Sequence, residues 1–91
     1  MQIENLKPTT DKATGKSYAL GAWGLHFRKA DCTGGDHEHE NEEIIFLISG
    51  ELTAEDKDES KKASAPAKII FPAKTWHKVT YKTDVIFIEK H

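Results

Sequence analysis

Residues 36–43 carry two histidines and five acidic side chains around one asparagine, in the order Asp-His-Glu-His-Glu-Asn-Glu-Glu. Side chains of an extended chain alternate between two faces, so His37, His39 and Glu43 would lie together on one face. Two imidazole nitrogens and a carboxylate oxygen suit a divalent first-row metal such as Fe, Mn, Ni, Cu or Zn. The alternative is an acidic, metal-free surface loop. The same register continues into the apolar run 44–48, however, which predicts that this row faces the interior.

A third histidine, His77, opens a predicted strand at residues 77–82 and shares a face with Tyr81. Two interpretations stay open from the residues alone. His77 is either a further ligand of the same metal or a core histidine whose ring nitrogens are satisfied by neighbours. The other histidines are weaker candidates, because His26 lies on the face opposite its apolar neighbours and His91 is C-terminal.

The elements that must position these side chains are short β-strands. Runs rich in β-branched and aromatic residues recur between Gly, Pro and Asp, and no window has the periodicity of an amphipathic helix. The predicted strands are 17–29 with a break at Gly21 or Gly24, 43–49, 51–54, 67–71, 77–82 and 84–89. This pattern is typical of an all-β sandwich or barrel, and closing the sheet would remove edges that promote aggregation.

Two turn signals and one polar stretch divide these strands. Gly50 is expected to make a sharp hairpin between the strands on either side of it, because glycine tolerates positive φ. Pro72 is expected to end the strand 67–71, since proline has no N–H for a continuing ladder. Residues 55–67 are rich in Glu, Asp, Lys and Ser, and we expect them to form a solvated connection.

Length and composition limit the classes of function. A chain of 91 residues has room for one domain, which we expect to span residues 1–91. Its 13 basic and 15 acidic residues give a net charge of -2, so no general field draws it to nucleic acid or to an anionic membrane. The longest apolar run, residues 44–48, is far shorter than the roughly 20 residues of a membrane helix. The one cysteine, Cys32, cannot form an internal disulfide, so the cytoplasm is the expected compartment.

The sequence resembles the cupins, a family whose first motif runs H-x-H, three or four residues, E, six residues, G. This motif is matched in identity and spacing by His37, His39, Glu43 and Gly50. The family's second motif runs G, five residues, P-x-G, two residues, H, three residues, N, and Pro72 and His77 match it. The two motifs lie within residues 34–50 and 66–81.

The chain departs from these motifs at positions that shape the backbone. Where the family has three glycines and an asparagine, this sequence has Asp31, Pro66, Lys74 and Tyr81. If the turn at Lys74 keeps a positive φ, a residue with a Cβ would cost about 1 kcal/mol there. The metal-ligating positions of the motifs are intact, whereas those that set the turns are not.

The resemblance implies a small jelly-roll β-barrel that holds one divalent metal through His37, His39, Glu43 and His77. A six-coordinate ion would keep two positions for water, dioxygen or an anionic substrate. Tyr81 lies four residues beyond His77 on the same face of the strand, and it is the candidate catalytic residue that hydrogen-bonds a substrate or moves a proton. The alternative for Tyr81 is packing in the core.

Two classes of function follow from this resemblance. The first is a metalloenzyme that acts on a small anionic organic molecule by oxygenase, isomerase or lyase chemistry. The second is a non-catalytic cupin that binds a metal or a small ligand for sensing or storage, and the fold alone does not choose between the two. We also expect a homodimer, since so small a barrel exposes much apolar surface, with residues 1–18 as the segment that reaches the partner.

Overall fold

A computed structural model describes residues 1–90 as ten β-strands and connecting turns, without a helix. In chain order the strands are β1 (Thr10–Lys12), β2 (Gly15–Leu20), β3 (Trp23–Arg28), β4 (Thr33–Glu38), β5 (Glu43–Ser49), β6 (Glu51–Asp56), β7 (Ser60–Ser64), β8 (Ala67–Phe71), β9 (Trp76–Tyr81) and β10 (Val85–Lys90). The prediction of an all-β protein is confirmed. Nothing in the described part of the chain is a helix long and apolar enough to cross a membrane.

The strands form two antiparallel sheets. The six-stranded sheet has the order β1-β2-β3-β10-β5-β8, and the four-stranded sheet has the order β4-β9-β6-β7. Leu47 and Phe87 of the larger sheet share one buried core with Leu52 and Val79 of the smaller sheet. The predicted jelly-roll class fits this arrangement, but the ladders between described strands leave two separate sheets rather than a closed barrel.

Alternation of side chains explains the two strands that carry most of the core. In β5, Ile45 and Leu47 are buried, and in β9, Val79 and Tyr81 are buried, while the residues between them are more exposed. A period of two with one apolar face is what a strand at a sheet-to-sheet interface requires. These four residues lie inward, as the sequence predicts.

The turns agree only partly with the sequence. Strand β8 ends at Phe71, before Pro72, and the predicted strand 17–29 breaks at Gly21, which has a φ of +63°. The hairpin at Gly50 is wrong, because β5 and β6 belong to different sheets. Gly50 has a φ of +93°, and a Cβ there would collide with the carbonyl oxygen of Asp84. Glycine is therefore needed where the chain crosses between the sheets.

Three polar strands are absent from the sequence prediction. The stretch 55–67, expected to be a solvated connection, contains the end of β6 and all of β7, and these two strands pair. The other two are β1 and β4. Strand β4 contains two glycines and a shift of register between Gly35 and His37, where Asp36 has a φ of +57°. Such strands lack the apolar alternation by which a strand is recognised.

The outer face of the six-stranded sheet is apolar. Phe27 is 38% exposed, Ile48 53% and Ile70 49%, and Trp23 packs against Phe46 with ring centroids 5.8 Å apart. Exposed apolar residues grouped on one sheet face mark a surface that another molecule covers.

Candidate metal centre

Four side chains from both sheets meet at one end of the interior. His37 in β4 and His77 in β9 are direct partners across their ladder, and Glu43 is the first residue of β5 in the other sheet. His39 lies in the connection between β4 and β5. One donor atom from each of the four residues lies within 4.8 Å of the others. We call this set the His/Glu cluster.

The Oε2 atom of Glu43 is the centre of the His/Glu cluster. It lies 2.9 Å from the Nε2 atoms of both His39 and His77, and 3.9 Å from Nε2 of His37. The residues are those the sequence singled out, but continuous strand alternation does not bring them together. Residues 39–42 lie outside the strands, so the chain crosses from one sheet to the other between His39 and Glu43.

The Glu43 side chain is only 5% exposed, and its environment controls its protonation. Burial, followed by the hydrogen bond that protonated Glu43 donates to Glu89 and by the charge of Glu89, raises the pKa of Glu43 to about 8. Two cationic imidazoles 2.9 Å away would lower this pKa instead. Without a metal, the Glu43 carboxyl therefore stays largely protonated at neutral pH.

His77 is the most enclosed member of the cluster, with 2% of its side chain exposed. Its ring stacks on Phe71, with centroids 4.0 Å apart and planes 9° apart. Burial lowers the pKa of His77, and the neighbouring imidazoles of His37 and His39 lower it further. An imidazole held neutral in this way is in the protonation state that a metal ligand requires.

The donor set fits a divalent first-row metal. Oε2 of Glu43 is buried and makes no hydrogen bond within residues 1–90, although three imidazole nitrogens surround it. A buried oxygen in that condition is costly unless another group completes it. Three imidazole nitrogens and one carboxylate oxygen are ligands that Fe, Mn, Ni, Cu and Zn all accept.

Tyr81 lies in the core, where 4% of the residue is exposed. Burial raises the pKa of Tyr81 to about 12, so its hydroxyl keeps its proton at neutral pH. Among the described residues, this hydroxyl has no hydrogen-bond partner. A Cβ at Gly34 would collide with the Tyr81 oxygen, so glycine at position 34 leaves the space that the hydroxyl occupies.

A second group of polar residues lines the six-stranded sheet, and of these the sequence indicated only His26, as a weaker candidate. It consists of Ser17, His26, Arg28 and Glu89, which we call the supporting cluster. His26 points inward and stacks on Phe87, with ring centroids 4.9 Å apart. Its apolar neighbours in β3 lie on the opposite face, where Phe27 is exposed. A sequence signal for this cluster was the spacing of Glu89, which lies two residues from the core residue Phe87 and therefore on the same face of β10.

Several further residues contact the fold rather than the His/Glu cluster. Trp76 donates its indole N–H to Oδ1 of Asp36 at 2.9 Å, and Cys32 is half-buried against the core. Asp31 and Lys74, at two family glycine positions, have φ values of +68° and +57°. The turns thus keep the left-handed conformation without glycine. His91 lies outside the described residues.

Two facing sheets of jelly-roll type with a His/Glu cluster between them define a protein of the double-stranded β-helix class. The sequence model of the cupin domain matches residues 25–89. The chain therefore belongs to the cupin family. Among curated proteins, none matches it significantly.

Solved structures share this fold at low sequence identity. The capsular polysaccharide assembling protein CapF from Staphylococcus aureus has a TM-score of 0.80 and 17% identity over 97% of this chain, which spans only 28% of the CapF chain. KdgF from Halomonas sp. has a TM-score of 0.74 and 14% identity over 94% of this chain and 85% of its own. A predicted oxalate decarboxylase from Thermotoga maritima has 0.73 and 18%, over 82% and 76%. These similarities establish the fold.

Proposed function

We propose that this cupin holds one divalent first-row metal through His37, His39, Glu43 and His77. The observation that carries the proposal is the convergence of four donor atoms within 4.8 Å around a buried carboxylate oxygen that makes no hydrogen bond. A purely structural cluster of buried polar groups would be expected to satisfy that oxygen with a protein donor.

We further propose that the metal serves an enzyme acting on a small anionic organic molecule, by oxygenase, isomerase or lyase chemistry. The metal would supply a Lewis-acid or redox centre. Three neutral imidazoles and one carboxylate leave a divalent site with a net positive charge, which favours an anionic substrate. His37, with 45% of its side chain exposed, lies on the side from which a substrate would enter. The protonated hydroxyl of Tyr81 would donate a hydrogen bond to a substrate oxygen.

The metal proposal is tested by elemental analysis of protein purified without a histidine tag. We expect about one equivalent of a first-row metal per chain. The double variant His37→Ala/His39→Ala should lose it on dialysis against a weak chelator, because half of the donor set is gone. Glu38→Ala/Glu40→Ala, which changes two exposed residues of the same segment, is the matched control. Retention of wild-type metal content by the histidine variant would contradict the assignment.

The enzyme and the binding protein are separated by a screen of small carboxylates, sugars and diketones with the metal-loaded chain. Conversion of one of them, lost in the double histidine variant, supports the enzyme. Saturable binding without conversion supports the alternative, a cupin that binds a metal or small ligand for sensing or storage.

We also propose that residues 1–91 act as one cytoplasmic domain and form a homodimer through the outer face of the six-stranded sheet. Residues 1–9 are all exposed, including Ile3 at 83% and Leu6 at 49%, so the first part of the predicted partner segment is available to a second copy. Sedimentation should give a species of about twice 10.2 kDa at micromolar concentration. Ile48→Lys, which places a charge on this exposed face, should dissociate it, and a wild-type monomer would contradict the proposal.

A further inference from the structure

The supporting cluster connects three strands of the six-stranded sheet. Ser17 in β2 and His26 in β3 are direct partners across their ladder, and His26 is opposite Phe87 in β10. Glu89 is the next residue of β10 on the same face as Phe87. No member of the supporting cluster belongs to the two cupin motifs or to the His/Glu cluster. Its contacts nevertheless lead, one after another, to Glu43.

The first contacts have a definite direction. Nη2 of Arg28 lies 3.0 Å from Oγ of Ser17 and 3.4 Å from Nδ1 of His26, and a guanidinium can only donate. The Ser17 hydroxyl accepts from Arg28, and its single proton remains for Nδ1 of His26, 2.8 Å away. Because Nδ1 is an acceptor, neutral His26 carries its proton on Nε2.

The Nε2 atom of His26 faces Glu89, whose Oε1 lies 3.8 Å away. The imidazole is held in place by its stack on Phe87, in which the planes are 27° apart. Gly24 provides the room, because a Cβ at that position would lie 2.6 Å from Nε2. The ring is thus fixed by a hydrogen bond on one side, by an aromatic face and by the absence of a side chain at Gly24.

Glu89 continues the series into the His/Glu cluster. It is the ladder partner of Ile45, and Glu43 lies two residues from Ile45 on the same inward face of β5. The Glu89 side chain is hydrogen-bonded to Glu43. The Oε2 atom of Glu43 faces the three imidazoles of the His/Glu cluster.

We propose that Arg28, Ser17 and His26 hold Glu89 against Glu43 and thereby orient the Glu43 carboxylate toward the metal. His26 is then a positioning residue, which acts on the metal through Glu89 and Glu43. The inference rests on the proposed metal-binding function. Residues that hydrogen-bond metal ligands typically change metal affinity by about 10- to 100-fold when they are replaced.

The test uses Co²⁺ alone as the probe, because its visible absorption reports the geometry of the ligands in the loaded protein. His26→Phe keeps a ring to stack on Phe87 but removes both nitrogens. We expect this variant to bind Co²⁺ about tenfold or more weakly in competition with a chelator. We also expect an altered absorption spectrum at saturation, which a loss of stability alone would not produce. His26→Gln, which retains an N–H donor, should restore part of the affinity.

Two further variants test the same contacts if His26→Phe does not fold. Ser17→Ala removes the link between Arg28 and His26, and Tyr18→Phe is its control, since it removes a hydroxyl from the adjacent residue on the outer face. Gly24→Ala displaces the His26 ring without removing any polar group. Ser17→Ala and Gly24→Ala should weaken Co²⁺ binding and change the spectrum, and the control Tyr18→Phe should do neither. Wild-type affinity and spectrum in Ser17→Ala and Gly24→Ala would overturn the proposal.

A measurement without metal separates this inference from the metal assignment. In metal-free protein, the carboxyl ¹³C resonances of Glu43 and Glu89 should both shift in Ser17→Ala, because the contacts pass through Glu89 to Glu43. A shift confined to Glu89 would overturn the positioning role, whatever the metal content. Absence of Co²⁺ binding in the wild type would instead contradict the proposed function and leave the carboxyl shifts to decide this inference.

Discussion

The His/Glu cluster and the supporting cluster differ in how their residues are distributed along the chain. The His/Glu cluster draws three of its four members from residues 37–43, at the join between β4 and β5. The supporting cluster draws its members from β2, β3 and β10, so Ser17 and Glu89 are far apart in sequence. Ligand spacing can therefore be read as a motif, whereas the residues that orient a ligand are visible only in the folded sheet.

The two clusters also differ in their access to solvent. The side chains of His37 and His39 are 45% and 29% exposed, whereas those of His26 and Glu89 are 16% and 14% exposed. The His/Glu cluster is therefore open enough for the proposed metal and substrate to reach it. The supporting cluster is enclosed, which suits residues that hold a neighbour in place rather than exchange ligands with solvent.

The largest expected effect comes from disturbing the His/Glu cluster at Gly35, which lies beside His77. This glycine has a φ of +76°, and a Cβ there would lie 3.1 Å from Cδ2 of His77. Gly35→Ala should lower the free energy of unfolding by about 2 kcal/mol, roughly half of it from the left-handed backbone. It should also weaken metal binding by displacing the His77 ring. Chemical denaturation and a chelator competition measure the two effects.

Gly21→Ala is the matched control for this prediction. Gly21 has a φ of +63°, but nothing lies near a Cβ at that position. Its replacement should cost about 1 kcal/mol and leave metal affinity unchanged. If both variants lost the same stability and kept the same metal affinity, the space at position 35 would not determine the placement of His77 in the His/Glu cluster.

The His/Glu cluster could be predicted from the sequence because three of its members lie close together in the chain and β5 has clear apolar alternation. The strand β4 that carries His37 was missed for a physical reason. Its glycines and the left-handed Asp36 serve the close approach to β9 and leave no apolar pattern. The expected extended run from His37 to Glu43 was likewise wrong in path, although the structure brings the predicted residues together.

The supporting cluster could not be predicted as a group because β3 reverses the usual preference for apolar residues on the inner face of a sheet. Its apolar residues Trp23, Leu25 and Phe27 occupy the outer face of the sheet, and His26 occupies the inner face. A rule that places apolar residues inward fails on a strand whose outer face is itself apolar. The crossing at Gly50 was missed for a related reason, since a glycine between two strands does not reveal whether they pair or separate.

A smaller effect is expected where the two clusters meet, at Glu43. Its pKa is raised to about 8 by burial and then by Glu89. In metal-free protein the folded state therefore keeps a proton that the unfolded state releases above its ordinary pKa. The wild type should lose stability as pH rises from about 5 to 8, and Glu43→Gln should not.

Denaturation of metal-free protein at several pH values measures this difference. Between pH 5 and 8, the stability of Glu43→Gln should rise relative to the wild type by at least about 1.4 kcal/mol, the equivalent of one pKa unit. Glu42→Gln is the control, since it removes a neighbouring exposed carboxylate. Parallel pH profiles for Glu43→Gln and the wild type would show that the folded protein does not hold this proton.

The smallest effect on stability is expected at Tyr81, a core residue of β9 that belongs to neither cluster. Its hydroxyl has no hydrogen-bond partner in residues 1–90, so Tyr81→Phe should change the free energy of unfolding by less than about 0.5 kcal/mol. Metal content should stay unchanged, because the side chain is not a ligand. With a pKa of about 12 the hydroxyl is a donor, so binding or turnover of the carboxylate, sugar or diketone found by screening should fall. Tyr18→Phe on the outer face is the control. A loss of more than about 1 kcal/mol, the value of a typical buried hydrogen bond, with turnover per folded molecule intact would assign Tyr81 to packing instead.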